Sequence, residues 1–122
     1  MPQLTLEYSC NIIDDVNFNS LLKKLHEVVS EEGNINITNF KSRVVKHENF
    51  LVGAGNQADA FVHVEFKLLE GRSEELKSKI GNLILDTIKK YYPQSVEKLD
   101  LQITVELLDI KKSDYYKYPN NL

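Results

Sequence analysis

Four residues in this chain have the types and the spacing to do chemistry together. They are an imino acid at position 2, Pro2, an arginine in a Gly-Arg-Ser turn, Arg72, and two basic residues one pleat apart, Lys41 and Arg43. Met1 is followed by a residue small enough for aminopeptidase removal, which would leave Pro2 with a free secondary amine. An α-amino group titrates near ~8 when unperturbed. Burial or neighbouring cations disfavour its charged form and lower that value. An amine poised near neutral pH is an efficient general base for a carbon acid beside a carbonyl. The guanidinium of Arg72 is a planar fork suited to a carboxylate or an enolate oxygen, whereas Lys41 brings the same charge without the fork. Lys41 and Arg43 alternate onto one face of a strand, so either is a candidate for the second cation. Each residue also has a plainer reading. Pro2 could simply open a strand, where a missing N–H is harmless. Arg72 could pair with Glu70 or Glu75, and the basic strand could be solvated.

The elements that must position these residues follow from hydrophobic periodicity. Residues 2–8 alternate apolar and polar, as a strand does. Phe18, Leu21, Leu22, Leu25, Val28 and Val29 recur at steps of three and four, the stripe of an amphipathic helix. Asn17 or Asn19 can cap its start and Gly33-Asn34 its end. A second strand covers 39–47, and a loop with Gly53-Ala54-Gly55-Asn56 runs to about Asp59, a candidate to overhang Pro2. The plan then repeats. A strand with Val62, Val64, Phe66 and Leu68 on one face leads to Gly71-Arg72. A helix starts at Ser73 with Glu74 and Glu75 at the positive end of its dipole. Pro93 ends that helix, and Leu99 to Leu107 form a last strand.

The reading is one α+β domain over 1–122, made of two β-α-β units at about 2–47 and 60–109 and a polar, irregular tail at 111–122. A helix of this length crosses over between parallel strands, so the expected sheet is four-stranded and mainly parallel, with both helices on one face. The other face is partly apolar and calls for cover by a closed oligomer.

Composition narrows the function classes. The chain is 42% hydrophobic and 27% charged, as in ordinary globular proteins, and its net charge of −3 offers no basic field for nucleic acid. No apolar run reaches the ~20 residues of a membrane span, and the first residues lack a signal-peptide pattern. With Cys10 the only cysteine, no internal disulfide can form, and the expected compartment is the cytoplasm. His26, His47 and His63 lack metal-ligand spacing and read as structural. Gly53-x-Gly55 does not lie between a strand and a helix with a downstream acid, so it is no dinucleotide fingerprint.

The run Leu68-Leu69-Glu70-Gly71-Arg72-Ser73-Glu74-Glu75-Leu76-Lys77 resembles the strand-end and helix-start motif of the tautomerase superfamily, whose 4-oxalocrotonate tautomerases carry the same Leu-Glu-Gly-Arg-Ser. Over most of its length the chain is similar to the longer 5-carboxymethyl-2-hydroxymuconate isomerases. Pro2, Ser42-Arg43-Val44, Ala60-Phe61-Val62-His63 and Gly71-Arg72-Ser73 carry that likeness, in matching order and spacing. The resemblance implies a homotrimeric isomerase with Pro2 as base, acting on a small unsaturated dicarboxylate without cofactor or metal. It implies that Arg72 is the catalytic arginine and that Lys41 stands where the family has a second one, a departure that loosens the substrate. Arg43 is then a candidate substrate-binding residue. Two other readings keep the fold: a Pro2-dependent hydratase, dehalogenase or decarboxylase, and a catalytically silent trimeric binding protein.

Overall fold

A computed structural model describes residues 1–120; the last two residues of the expected tail lie outside the described residues. The chain forms β1 (Gln3–Ser9), α1 (Phe18–Gly33), β2 (Lys41–His47), β3 (Asp59–Leu69), α2 (Glu74–Lys89), α3 (Pro93–Lys98) and β4 (Asp100–Ile110). Short 3-10 turns at Ile37–Asn39 and Lys112–Asp114 precede β2 and follow β4. The strands form one sheet in the order β2-β1-β3-β4. β1 runs parallel to β2, and β3 parallel to β4, as crossover helices require. The two units meet antiparallel, β1 against β3, with Gln3 opposite Lys67 and Tyr8 opposite Val62. The expected α+β, mainly parallel sheet is therefore the observed one.

One face of the sheet carries the core. Leu4 and Leu6 of β1 and Val62, Val64, Phe66 and Leu68 of β3 are fully or almost fully buried. They pack in one cluster with Leu21, Leu25 and Val29 of α1 and Ile80, Ile84 and Ile88 of α2, so both helices cover the same face. Truncating a side chain such as Phe66 to alanine would cost about 3–5 kcal/mol. The helix ends follow the expected signals. Asn17 accepts from the Ser20 amide at 3.0 Å and Ser73 from the Leu76 amide at 3.1 Å. Asn34, at φ 51°, closes α1 in the left-handed conformation.

Three features of the chain differ from expectation. Pro93 does not merely stop α2, which ends at Lys89; it opens α3, at a helix start where its missing N–H leaves no bond unmade. The cap of α3 comes from far away in sequence: Asp14 accepts from the amides of Gln94 at 2.9 Å and Ser95 at 2.8 Å. β2 begins at Lys41, after a 3-10 turn capped by Asn36 rather than an extended Asn39. The 48–58 loop follows His47, which pairs with Ser9 at the far end of β1. At ~3.3 Å per residue, the seven residues of β1 set that loop roughly 20 Å from Pro2 in the same subunit. It does not overhang Pro2 within one chain.

Candidate active site

The strand directions bring four chain segments to one end of the sheet. β1 and β2 both start there, and β3 and β4 both finish there. Pro2 stands at the head of β1, buried, with its carbonyl accepting from the Lys41 amide at 3.2 Å. Met1 ahead of it is only 8% exposed. Arg72 arrives from the other unit. Beyond β3 the chain turns through Gly71 at φ 112°, a region L side chains rarely adopt, and Arg72 directly precedes the Ser73 cap of α2. Its Nη1 donates to the Leu69 carbonyl at 3.0 Å, which holds the half-buried side chain against the strand end.

The electrostatics of this end bear on an amine. The terminal amine here is that of Met1; burial, first, and then the charges of Arg72, Lys41 and Lys117 lower its pKa below the ordinary value. The cause is physical: partial desolvation and three like charges all disfavour the ammonium. The structure thus brings Pro2, Lys41 and Arg72 to one end of the sheet, and with them Lys117, which sequence reasoning passed over. Arg43 lies on the same face as Lys41, on the side of the sheet away from the helices. Its guanidinium is engaged with Gln3, donating to Oε1 at 2.6 Å.

A cleft of about 460 Å³ opens on that uncovered face beside the N-terminus, lined by Gln3, Thr5, Arg43, Glu65, Lys67 and Tyr115 among others. Pro2, Lys41 and Arg72 do not line it, and its charges are of both signs, with Lys67 paired to Glu65 at 3.2 Å. The chemistry-bearing end is the one occupied by Met1, so we place the candidate site there and not in the cleft.

The remaining candidates lie elsewhere. His26 bonds to Ser42 beside the Phe40 ring, and burial lowers its pKa. His47 bonds Glu7 at 2.8 Å, and His63 bonds Thr104 at 2.7 Å, both on the uncovered face. Cys10 sits past the far end of β1, with Sγ 3.9 Å from the Glu48 carbonyl. Among the described residues no group of three or more His, Cys, Asp or Glu could hold a metal ion. Nor is any described helix long and apolar enough to cross a membrane.

Two β-α-β units joined antiparallel, with a proline-headed first strand beside an arginine turn, define a fold of the tautomerase superfamily. A 5-carboxymethyl-2-hydroxymuconate isomerase from Deinococcus radiodurans R1 superposes with a TM-score of 0.84 at 24% identity, over 95% of this chain and 87% of that one. A fused 4-OT wild-type symmetric trimer gives 0.77 at 20% identity, over 98% and 94%. The profile of the 5-carboxymethyl-2-hydroxymuconate isomerase family matches residues 2–122, and the chain belongs to that family. The 5-carboxymethyl-2-hydroxymuconate Delta-isomerase of Escherichia coli is 24% identical over 120 residues, 98% of this chain and 95% of that protein. The chain is an isomerase.

Proposed function

We propose that the protein interconverts keto and enol forms, or double-bond isomers, of an unsaturated acid with two or more carboxylates, similar to 5-carboxymethyl-2-hydroxymuconate. The base in this reading is the secondary amine of Pro2, freed when Met1 is removed. The observation that carries it lies one residue away: the Met1 amine is held toward its neutral form by burial and by the charges of Arg72 and Lys41, and in this reading the same surroundings act on the Pro2 amine once Met1 is gone. Neutral Pro2 takes a proton from carbon next to a carbonyl, and the electron pair left behind moves onto the carbonyl oxygen as a dienolate. Arg72, with its fork, and Lys41, as a point charge, stabilise that oxygen and one carboxylate, a preorganised electrostatic contribution. The protonated amine then returns the proton to a different carbon. No net proton is gained or lost. Lys41 is preferred over Arg43 as the second cation because its charge acts on the Met1 amine and its amide bonds the Pro2 carbonyl, while Arg43 is bonded to Gln3.

The active form in this reading is a cytoplasmic homotrimer. The uncovered sheet face supports it: Val45 is 39% exposed there, and Phe61, Leu108 and Ile110 are only half-buried among charged rows. Such a mixed face is suited to packing against copies of itself. The trimer described for the fused 4-OT protein is consistent with the same use of the fold.

Intact mass of protein made at natural levels tests the premise, since with Met1 retained the Pro2 nitrogen is an amide and cannot accept a proton. On the processed chain, an ultraviolet assay of enol-to-ketone conversion should show activity that Pro2→Ala and Arg72→Ala each strongly reduce. Retained Met1, or unchanged rates in both variants, rejects the mechanism.

A further inference from the structure

The segment after β4 does not trail away from the sheet. Its root is tied beside Arg72: the Glu70 amide donates to the Ile110 carbonyl at 3.0 Å, and the Lys112 amide donates to Glu70 Oε2 at 2.7 Å. Its middle is tied beside Pro2. Arg43 can only donate, so its bond fixes Oε1 of Gln3 toward itself and leaves Nε2 of Gln3 to donate to Tyr115 Oη at 3.0 Å. The chain between and beyond these ties alternates. Tyr115 and Lys117 are half-buried, whereas Tyr116 and Tyr118 are 88% and 96% exposed. Tyr115 therefore turns inward, toward the head of β1, and Lys117 follows it on the same, less exposed side of the segment.

We propose that this segment is a third wall of the site and that Lys117 binds the distal carboxylate of the substrate, setting a preference for dicarboxylates over monocarboxylates. The proposal rests on the site being the Pro2 end of the sheet, and it assigns a role to residues that the catalytic reading does not use. Lys117 also lowers the pKa of the Met1 amine, and it does so less than Arg72 or Lys41. Coulomb interaction weakens with distance, so of the three charges that of Lys117 stands furthest from the Met1 amine, on the side where the remote end of a substrate would lie. The ammonium is held along the segment by its bond to the Pro119 carbonyl at 3.0 Å. A point charge on a flexible stem tolerates a carboxylate arriving at varied angles, whereas the reacting end needs the fixed fork of Arg72. In this arrangement Arg43 serves the site indirectly. Through Gln3 it holds Tyr115, which anchors the chain two residues before Lys117.

Calorimetric binding of two non-reacting probes, adipate and hexanoate, to the chain lacking Met1 tests this without any turnover. The wild type should bind adipate more tightly than hexanoate. Lys117→Ala should weaken adipate about tenfold or more, the scale of one charge-assisted bond, and change hexanoate less than twofold. Lys117→Arg should restore most of the adipate affinity, and Tyr115→Phe should give an intermediate loss for adipate alone. These residues lie outside the core, and melting curves check that each variant folds. Wild-type indifference between the probes, an unaltered adipate affinity in Lys117→Ala, or equal losses for both probes each overturn the proposal. Because binding is read without catalysis, a Pro2 that proves not to be the base leaves this result standing, and the reverse also holds.

Discussion

Gly71→Ala is the substitution that best isolates how the fold aims Arg72. A Cβ added at Gly71 meets nothing within 4 Å, so no clash contributes. What remains is the backbone, at φ +112°, a region essentially reserved for glycine. Holding an alanine there costs about 1–3 kcal/mol. The turn is tied on both sides, by the Glu70 amide to Ile110 and by the Arg72 guanidinium to the Leu69 carbonyl. The strain then has two outlets. If the ties hold, the cost appears as stability, a fall in Tm on the order of 5–10 °C for a domain of this size. If the turn relaxes by rotating residue 71, Arg72 shifts, and a displacement near 1 Å at a reacting centre can cost ~10²-fold in rate.

Calorimetric melting at fixed protein concentration, together with kcat/KM for enol-to-ketone conversion, reads both outlets. Gly53→Ala is the control. Gly53 is also open around its Cβ and has φ +52°, but it lies in the loop at the far end of the sheet. An alanine there costs about 1–2 kcal/mol and should leave kcat/KM unchanged, with Gly53→Asn regaining part of the stability. Gly71→Ala must move Tm, kcat/KM or both. A variant that matches wild type in both refutes the claim that this φ holds Arg72 in position.

Other outcomes follow from the same structure. Burial and then like charges disfavour the ammonium of Met1, and the same surroundings act one residue on at Pro2, so the rising limb of the pH profile of kcat/KM should lie below the ordinary α-amino value of ~8. Arg72→Ala removes one of those charges and should move the limb to higher pH; a limb that stays in place separates the base from this cation. Asp14→Ala strips the cap from α3 and should cost about 1–2 kcal/mol by denaturant titration; no loss would mean that packing alone holds α3. Tyr92 is fully buried, and its hydroxyl has no bonding partner among the described residues. Tyr92→Phe should therefore melt at or above the wild-type temperature, and a fall of more than a few degrees contradicts that reading.

Much of this arrangement was legible in the sequence because it is local. Helix stripes, the Asn17 and Ser73 caps and the alternation of β3 each depend on residues within one turn or one pleat. Pro2, Lys41 and Arg72 could be grouped because a short motif and the doubled plan gave each a place. What escaped depends on partners distant in sequence. Asp14 caps a helix that begins at Pro93, and Gln3 holds Tyr115 from the other end of the chain. No window of periodicity contains both members of such a pair. In Lys117 nothing but spatial position distinguishes it from a surface lysine. The loop at 48–58 is a different kind of miss. Parallel pairing of β1 and β2 already requires the loop after β2 to lie opposite the head of β1, so within one chain it cannot cover Pro2.

That loop has a counterpart, and the comparison explains why one end of the sheet carries the cations. The antiparallel meeting of β1 and β3 relates the two units by an approximate twofold. The Lys41 amide bonds the Pro2 carbonyl, and the Asp100 amide bonds the Ala58 carbonyl in the same way. Glu70 bonds Ile110 as Cys10 bonds His47. Carried through, the relation sets Ala58 against Pro2, Asp100 against Lys41 and Ile12 against Arg72. The segment bearing Lys117 is matched, at equal distance past its strand, by Ala54 between two glycines of the 48–58 loop. Every charge that disfavours an ammonium at one end is absent or reversed at the other, where position 58 is in any case an internal amide. A doubled architecture supplies two equivalent ends, and the side chains make only one of them fit for an amine base and an anionic substrate.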